Sequence, residues 1–209
     1  MTADLAAVLS GARIMPVLTV PSAASAGPLA DALAAGGARC AEVTLRTPGA
    51  ERALRTMAAH GGLTVGAGTV LTAEQAERAV AAGARFVVSP GFDEDVVAKC
   101  RDLDVPVVPG VATATELMRA LRAGLGTVKL FPAEPLGGPG MLRALSAPFP
   151  QARFVPTGGI GADRLVDYLA EPAVLAVGGT WMATAAHLER GDYAEIGRLT
   201  AEAVERSTP

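Results

Sequence analysis

Gly126-Thr127-Val128-Lys129-Leu130-Phe131-Pro132-Ala133-Glu134 is an apolar run of one strand's length that carries a single lysine and halts at a proline. Of the chain's 18 basic residues 16 are Arg, and the two Lys are Lys99 and Lys129. Lys99 lies in a polar helical pattern, Asp93 to Arg101, where a solvated ammonium costs nothing. Lys129 lies between Val128 and Leu130, where burial favours the neutral amine, the form that attacks ketones to give Schiff bases. On this stretch alone a strand-end lysine that reaches water or pairs with a carboxylate is the competing reading.

Outward from this stretch the same unit recurs: an apolar run, a turn, then a helical pattern. Runs at Ile14 to Val20, Cys40 to Leu45, Leu63 to Ala67, Arg85 to Val88 and Val105 to Val108 precede Gly126 to Leu130; Arg153 to Val155 and Val174 to Val177 follow it. Helical patterns fill the intervals: Ala26 to Ala35, Pro48 to about Ala59, a Thr72-capped helix to Ala82, and one from Asp93. Further on come a Thr113-capped helix to Ala123, about Gly140 to Leu145, Asp163 to Leu169, and Thr184 to Glu205. Gly36-Gly37, Gly61-Gly62 and Gly83 stop helices as C-cap glycines do. Eight strand signals alternating with eight helix signals predict an α/β fold with a parallel sheet, and eight such units suit a (β/α)8 TIM barrel. A doubly wound open sheet is the structural competitor. The barrel would be compact, because that fold usually takes about 250 residues and this chain has 209. Met1 to Gly11 reads as a short N-terminal helix, and no linker divides residues 1–209, so one domain is expected.

The totals narrow the function. The chain is 50% hydrophobic but only 4% aromatic, so Ala, Val and Leu must build the core. Net charge is −3 with no basic block, which argues against nucleic acid or a membrane surface as partner. No apolar run approaches the ~20 residues of a membrane span, and the N-terminus lacks the basic region of a signal peptide. Cys40 and Cys100, without a CxxC or a neighbouring His, suggest reduced cytoplasmic thiols. His60 and His187 lie far from any Cys, so a metal site has little support.

Active sites of such barrels lie where the strands end. Glu42, Thr44 and Arg46 alternate, so they share a face at the end of the second strand. Thr69 follows the third strand, Lys129 ends the sixth, Thr157 ends the seventh and Thr180 follows the eighth. Thr157-Gly158-Gly159 and Gly178-Gly179-Thr180 stand where this fold usually holds a phosphate, though each Gly pair could be only a tight turn. Gly66-Ala67-Gly68 is a weaker signal that would let Thr69 face the mouth. Glu42 could be a structural partner of Lys129 or Arg46, and Arg46 could be a surface arginine. If it faces the mouth, its forked guanidinium suits a carboxylate. Together these groups describe a Schiff-base enzyme acting on a phosphorylated keto acid.

Five ordered motifs carry a resemblance. Glu42-Val43-Thr44-Leu45-Arg46, Val65-Gly66-Ala67-Gly68-Thr69-Val70-Leu71, Ser89-Pro90-Gly91, Lys129-Leu130-Phe131-Pro132-Ala133-Glu134 and Pro156-Thr157-Gly158-Gly159-Ile160 resemble the 2-keto-3-deoxy-6-phosphogluconate aldolase family. That family includes 4-hydroxy-2-oxoglutarate and 2-keto-3-deoxy-6-phosphogalactonate aldolases. The resemblance runs from about Arg13 to Tyr193 and implies a class I aldolase, a homotrimer of barrels needing no cofactor or metal. It implies Lys129 as nucleophile and Glu42 as general acid/base. Arg46 and Thr69 would hold the pyruvate carboxylate, Phe131 would pack beside it, and Pro90 would also bind substrate. Gly158, Gly159, Gly179 and Thr180 would take the phosphate, and Thr157 would sense the hydroxyl configuration. The competing functions are another phosphate-binding barrel enzyme, such as an isomerase, and a non-catalytic binder of a phosphorylated metabolite.

Overall fold

The computed structural model describes residues 5–208. Its strands are β1 (Ile14–Leu18), β2 (Cys40–Thr44), β3 (Thr64–Gly68), β4 (Val87–Val88), β5 (Val107–Val108), β6 (Gly110–Val111), β7 (Thr127–Leu130), β8 (Arg153–Phe154) and β9 (Val177–Gly179). Its helices are α1 (Leu5–Ala12), α2 (Ala26–Ala35), α3 (Ala50–His60), α4 (Ala73–Ala81), α5 (Glu94–Asp102), α6 (Ala114–Arg122), α7 (Gly138–Ser146), α8 (Leu165–Leu169), α9 (Ala185–Arg190) and α10 (Tyr193–Ser207). The strands form two parallel sheets, β5-β4-β3-β2-β1-β9 and β6-β7-β8. The sheets meet at two seams. β5 and β6 belong to one run interrupted at Pro109, whose carbonyl accepts from the Lys129 backbone N–H at 2.9 Å. At the other seam Phe154 bridges Val174 and Thr157 bridges Gly178, both parallel.

The period of two along each strand sorts its side chains. In β2, Ala41 and Val43 join the cluster beneath α2 to α5, while Cys40, Glu42 and Thr44 take the opposite face, and all five are buried. In β7, Val128 and Leu130 pack with Leu142, Leu165 and Tyr168 from the helices, and Lys129 turns the other way. The lower part of that inner face is a third cluster, with Met15, Cys40, Phe86, Val88, Val108, Val155 and Ala176 closed from below by Leu5 and Leu9 of α1. A Cβ on Gly66 would come 2.2 Å from the Phe86 ring, so that glycine makes room for the one large aromatic of this cluster. Helix starts follow side-chain chemistry. Thr72 accepts from Gln75 N, Asp93 accepts from Val96 N, and Thr113 with Glu116 forms a capping box, each worth about 1 kcal/mol.

Several boundaries differ from those the patterns suggest. The fifth strand breaks at Pro109, which has no N–H to continue a ladder, and resumes at Gly110. The eighth run, expected at Val174 to Val177, pairs mainly over Val177–Gly179, so Gly178 and Gly179 lie in the strand and not in a turn beyond it. The last helical stretch divides at Gly191, whose φ is 66°. Met1 to Asp4 of the expected N-terminal helix lie outside the described residues. Cys40 and Cys100 are free and buried; burial pushes their thiols up to about 12 and about 11 respectively. No helix among the described residues is long and apolar enough to cross a membrane.

Candidate active site

The polar groups at the strand ends form a floor, a wall and a rim. Lys129 and Glu42 are the floor, at 5% and 0% exposure. Lys129 Nζ donates to both Glu42 oxygens, Oε1 at 3.0 Å and Oε2 at 3.2 Å. Two buried charges side by side are costly in desolvation unless each satisfies the other, and this pair does so almost dry. Phe131 covers one side, with its ring centre 5.4 Å from Nζ, within cation–π range. β6 and β7 pair Gly110 with Lys129, and a Cβ on Gly110 would come 2.1 Å from the Pro90 carbonyl oxygen. Glycine therefore lets the Pro90 loop close over the strand that adjoins the lysine. Ser89, buried, ties that loop by donating to the Gly91 carbonyl at 2.6 Å.

Gly68 performs the matching service for Glu42. A Cβ there would meet Glu42 Oε1 at 2.1 Å. The next residue, Thr69, has φ 57°, a left-handed conformation that a β-branched residue rarely adopts. This turn carries the Thr69 hydroxyl to Arg46, whose Nε donates to it at 3.2 Å. Arg46 is exposed and Thr69 half-buried, so this pair lies nearer solvent than the buried Lys129 and Glu42. Thr44 does not join them. It is fully buried, donates to the Leu18 carbonyl at 2.9 Å and lies 3.0 Å from the Thr19 hydroxyl.

On the far side, Gly158 and Gly159 have φ values of 103° and 80°, a turn that needs glycine. A Cβ on Gly158 would stand 3.1 Å from the Phe131 ring, so this turn adjoins the aromatic beside Lys129. Gly159 and Thr180 are exposed on the rim. Gly178 and Gly179 serve close approach. A Cβ on Gly178 would lie 2.2 Å from Thr157 Oγ1, and one on Gly179 would lie 1.7 Å from the Trp181 ring. Thr157 is buried, and its hydroxyl is 3.3 Å from the Val155 carbonyl.

Sequence reasoning set Lys129, Glu42, Arg46 and Thr69 at the strand ends and the resemblance added Phe131; in the structure Lys129 contacts Glu42 and Phe131, and Arg46 contacts Thr69. It undervalued Gly68 and Gly110, whose roles depend on what a neighbouring strand presses against them. Among the described residues no three His, Cys, Asp or Glu side chains come together as metal ligands would.

The chain thus pairs a buried lysine with a buried glutamate at the ends of parallel strands, and comparison with known proteins gives the family. Residues 5–199 match the KDPG and KHG aldolase family model. The chain is 48% identical over 198 residues to a 2-dehydro-3-deoxy-phosphogluconate aldolase of Treponema pallidum, covering 94% of each chain. A 2-keto-3-deoxy-6-phosphogluconate aldolase of Zymomonas mobilis, solved with 3-phosphoglycerate, superposes with a TM-score of 0.92 at 42% identity, over 97% of this chain and 96% of that one. The corresponding Legionella pneumophila enzyme, with pyruvate captured at low pH as a covalent carbinolamine, gives 0.92 at 39% identity, over 96% and 98%. The chain belongs to the KDPG and KHG aldolase family. It is an aldolase, and so a lyase.

Proposed function

We propose that this aldolase cleaves 2-keto-3-deoxy-6-phosphogluconate to pyruvate and glyceraldehyde 3-phosphate through a Schiff base on Lys129. The observation that carries the reading is the dry Lys129–Glu42 pair at the strand ends. An ammonium is no nucleophile, and Glu42 Oε1 at 3.0 Å lies within reach of the proton that must leave. Lys129 Nζ then attacks the C2 ketone, Glu42 returns that proton to the carbinolamine hydroxyl, which departs as water, and an iminium forms beside the ionised Glu42. Glu42, directly or through a water, takes the C4 hydroxyl proton; the C3–C4 bond breaks and its electrons neutralise the iminium as an enamine. The aldehyde leaves, Glu42 returns a proton to C3, and water hydrolyses the new iminium to pyruvate and free Lys129. A carbinolamine is the adduct of an amine with a ketone, so the Legionella relative's pyruvate adduct supports the first step.

The remaining roles follow position. Arg46 and Thr69 hold the carboxylate: they are hydrogen-bonded to each other and follow the strands that carry Glu42 and Gly68. Phe131 and Pro90 wall the pyruvyl end. Gly158 and Gly159 take the phosphate, with Gly179 and Thr180 on the adjoining side; that the Zymomonas relative was solved with a phosphorylated molecule, 3-phosphoglycerate, supports a phosphate site. Thr157, between the lysine's strand and the glycine turn, reads the C4 hydroxyl. The same proposal treats residues 1–209 as one domain. It joins the two sheets into a closed (β/α)8 barrel, which the Pro109 seam and the Phe154–Val174 and Thr157–Gly178 bridges support. It also includes the homotrimer implied by the family resemblance, which light scattering would test by a mass of three chains. A cytoplasmic location fits two unpaired thiols.

The test is a retro-aldol assay on 2-keto-3-deoxy-6-phosphogluconate, its C4 epimer and 4-hydroxy-2-oxoglutarate, with pyruvate read by lactate dehydrogenase. The gluconate-configured acid should give the highest kcat/KM. Preference for the galactonate epimer would move the assignment to the neighbouring activity, and no pyruvate from any of them would end it.

A further inference from the structure

The segment after β7 and the turn after β8 are tied by their backbones. Ala133 N donates to the Thr157 carbonyl at 2.8 Å, and Glu134 N donates to the Gly158 carbonyl at 3.0 Å. Gly159 lies directly on Glu134, since a Cβ there would come 2.9 Å from Glu134 Cβ. The shape of the glycine turn therefore depends on where Glu134 sits. Its side chain is held from beneath. Tyr168 of α8 is fully buried, and its hydroxyl donates to Glu134 Oε1 at 2.7 Å. Burial and the adjacent carboxylate push the Tyr168 phenol up, so it remains a donor across the working pH range. Arg164 approaches the same oxygen at 3.7 Å but is more exposed and pairs at 2.8 Å with Asp167, so it is the weaker restraint.

Two consecutive glycines at positive φ have little conformational preference of their own. A turn built from them needs outside support to present one shape to a ligand. We propose that Tyr168 and Glu134 are positioning residues for the substrate's phosphate: the buried hydrogen bond from α8 fixes Glu134, and Glu134 holds Gly158 and Gly159 in the conformation that accepts the anion. This rests on the phosphate role of that turn given above. Neither side chain belongs to the Lys129–Glu42 pair, so the device acts on selectivity and leaves carbon–carbon cleavage alone.

The experiment compares wild type, Tyr168→Phe, Glu134→Ala and Glu134→Gln on 2-keto-3-deoxy-6-phosphogluconate and on unphosphorylated 4-hydroxy-2-oxoglutarate. Loss of the bond in Tyr168→Phe should raise KM for the phosphorylated acid roughly five- to tenfold. Its kcat, and kcat/KM for the unphosphorylated acid, should stay within about twofold. Glu134→Ala should repeat this pattern by removing the acceptor, which guards against a folding defect peculiar to the tyrosine variant. Glu134→Gln keeps an accepting oxygen and should restore near-wild-type KM. Equal losses on both substrates in Tyr168→Phe and Glu134→Ala would overturn the inference in favour of a stabilising role alone. A wild type that prefers the phosphorylated acid, with variants that keep that preference unchanged, would also overturn it while sparing the phosphate reading. A wild type indifferent to the phosphate would overturn both.

Discussion

Lys99 and Lys129 each sit beside a glutamate, and the two pairs differ in what surrounds them. Lys99 Nζ is 3.7 Å from Glu77 on the outer helices, with side chains 32% and 60% exposed. Lys129 Nζ is 3.0 Å from Glu42, with side chains 7% and 0% exposed. In solvent such a pair contributes about 0–1 kcal/mol and is screened by salt. In the interior the attraction is larger but the desolvation cost is of the same order, so an apolar pair of equal volume often stabilises as well or better. A buried pair is therefore weak evidence of a need for stability. What it secures at Lys129 is an amine and a carboxylate held together, away from water, at the end of a strand.

The sharpest way to break this contrast is to remove each amine. Lys129→Met should lower kcat by roughly 10³-fold or more, the scale expected when a nucleophile is lost. Lys99→Met should leave kcat within about twofold, since its pair is a surface one. Lys129→Met should also cost about 3–5 kcal/mol in urea unfolding, because Glu42 is left buried and unpaired; adding Glu42→Leu should recover most of that without recovering activity. If the double variant regained turnover, the pair would be only structural.

Glu42→Gln comes next. It keeps the shape and removes the carboxylate proposed as base, so proton exchange between pyruvate methyl groups and solvent, followed by NMR, should slow by about 10²–10⁴-fold. Unchanged exchange would reduce Glu42 to a partner for the lysine. Gly68→Ala approaches the same group from its neighbour. Its Cβ would need the space of Glu42 Oε1, 2.1 Å away, so the carboxylate must shift. A shift of this kind should cost kcat about 10–10²-fold, and crowding a fully buried carboxylate should also lower stability by about 1–3 kcal/mol. Thr157→Val is the smallest. One net hydrogen bond is worth about 0.5–1.5 kcal/mol, so the kcat/KM ratio between the C4 epimers should narrow several-fold at most. An unchanged ratio would remove Thr157 from stereochemical control.

The same contrast explains what could be read from the chain. A lysine flanked by Val128 and Leu130, and a carboxylate in alternation with Cys40 and Thr44, are one-dimensional patterns, because side-chain direction in a strand has a period of two. Lys129, Glu42 and the order of strands and helices were legible for that reason. Contacts between strands have no such signature. Thr44 shares the face of Glu42, yet its hydroxyl is committed to the Leu18 carbonyl on the next strand. Gly178 and Gly179 look like a turn and are strand residues thinned for Thr157 and Trp181. Tyr168 reads as one more apolar position on a short helix, and only the folded chain brings its hydroxyl to Glu134.

The buried amine, and not the solvated one, is the group expected to bond covalently to the keto acid. Incubation with pyruvate and sodium borohydride tests it most directly, because reduction makes an iminium permanent. Mass spectrometry of the digested protein should find one three-carbon adduct, on the peptide that carries Lys129, with Lys99 unmodified. An adduct on Lys99, or no adduct while retro-aldol turnover continues, would rule out Lys129 as the nucleophile.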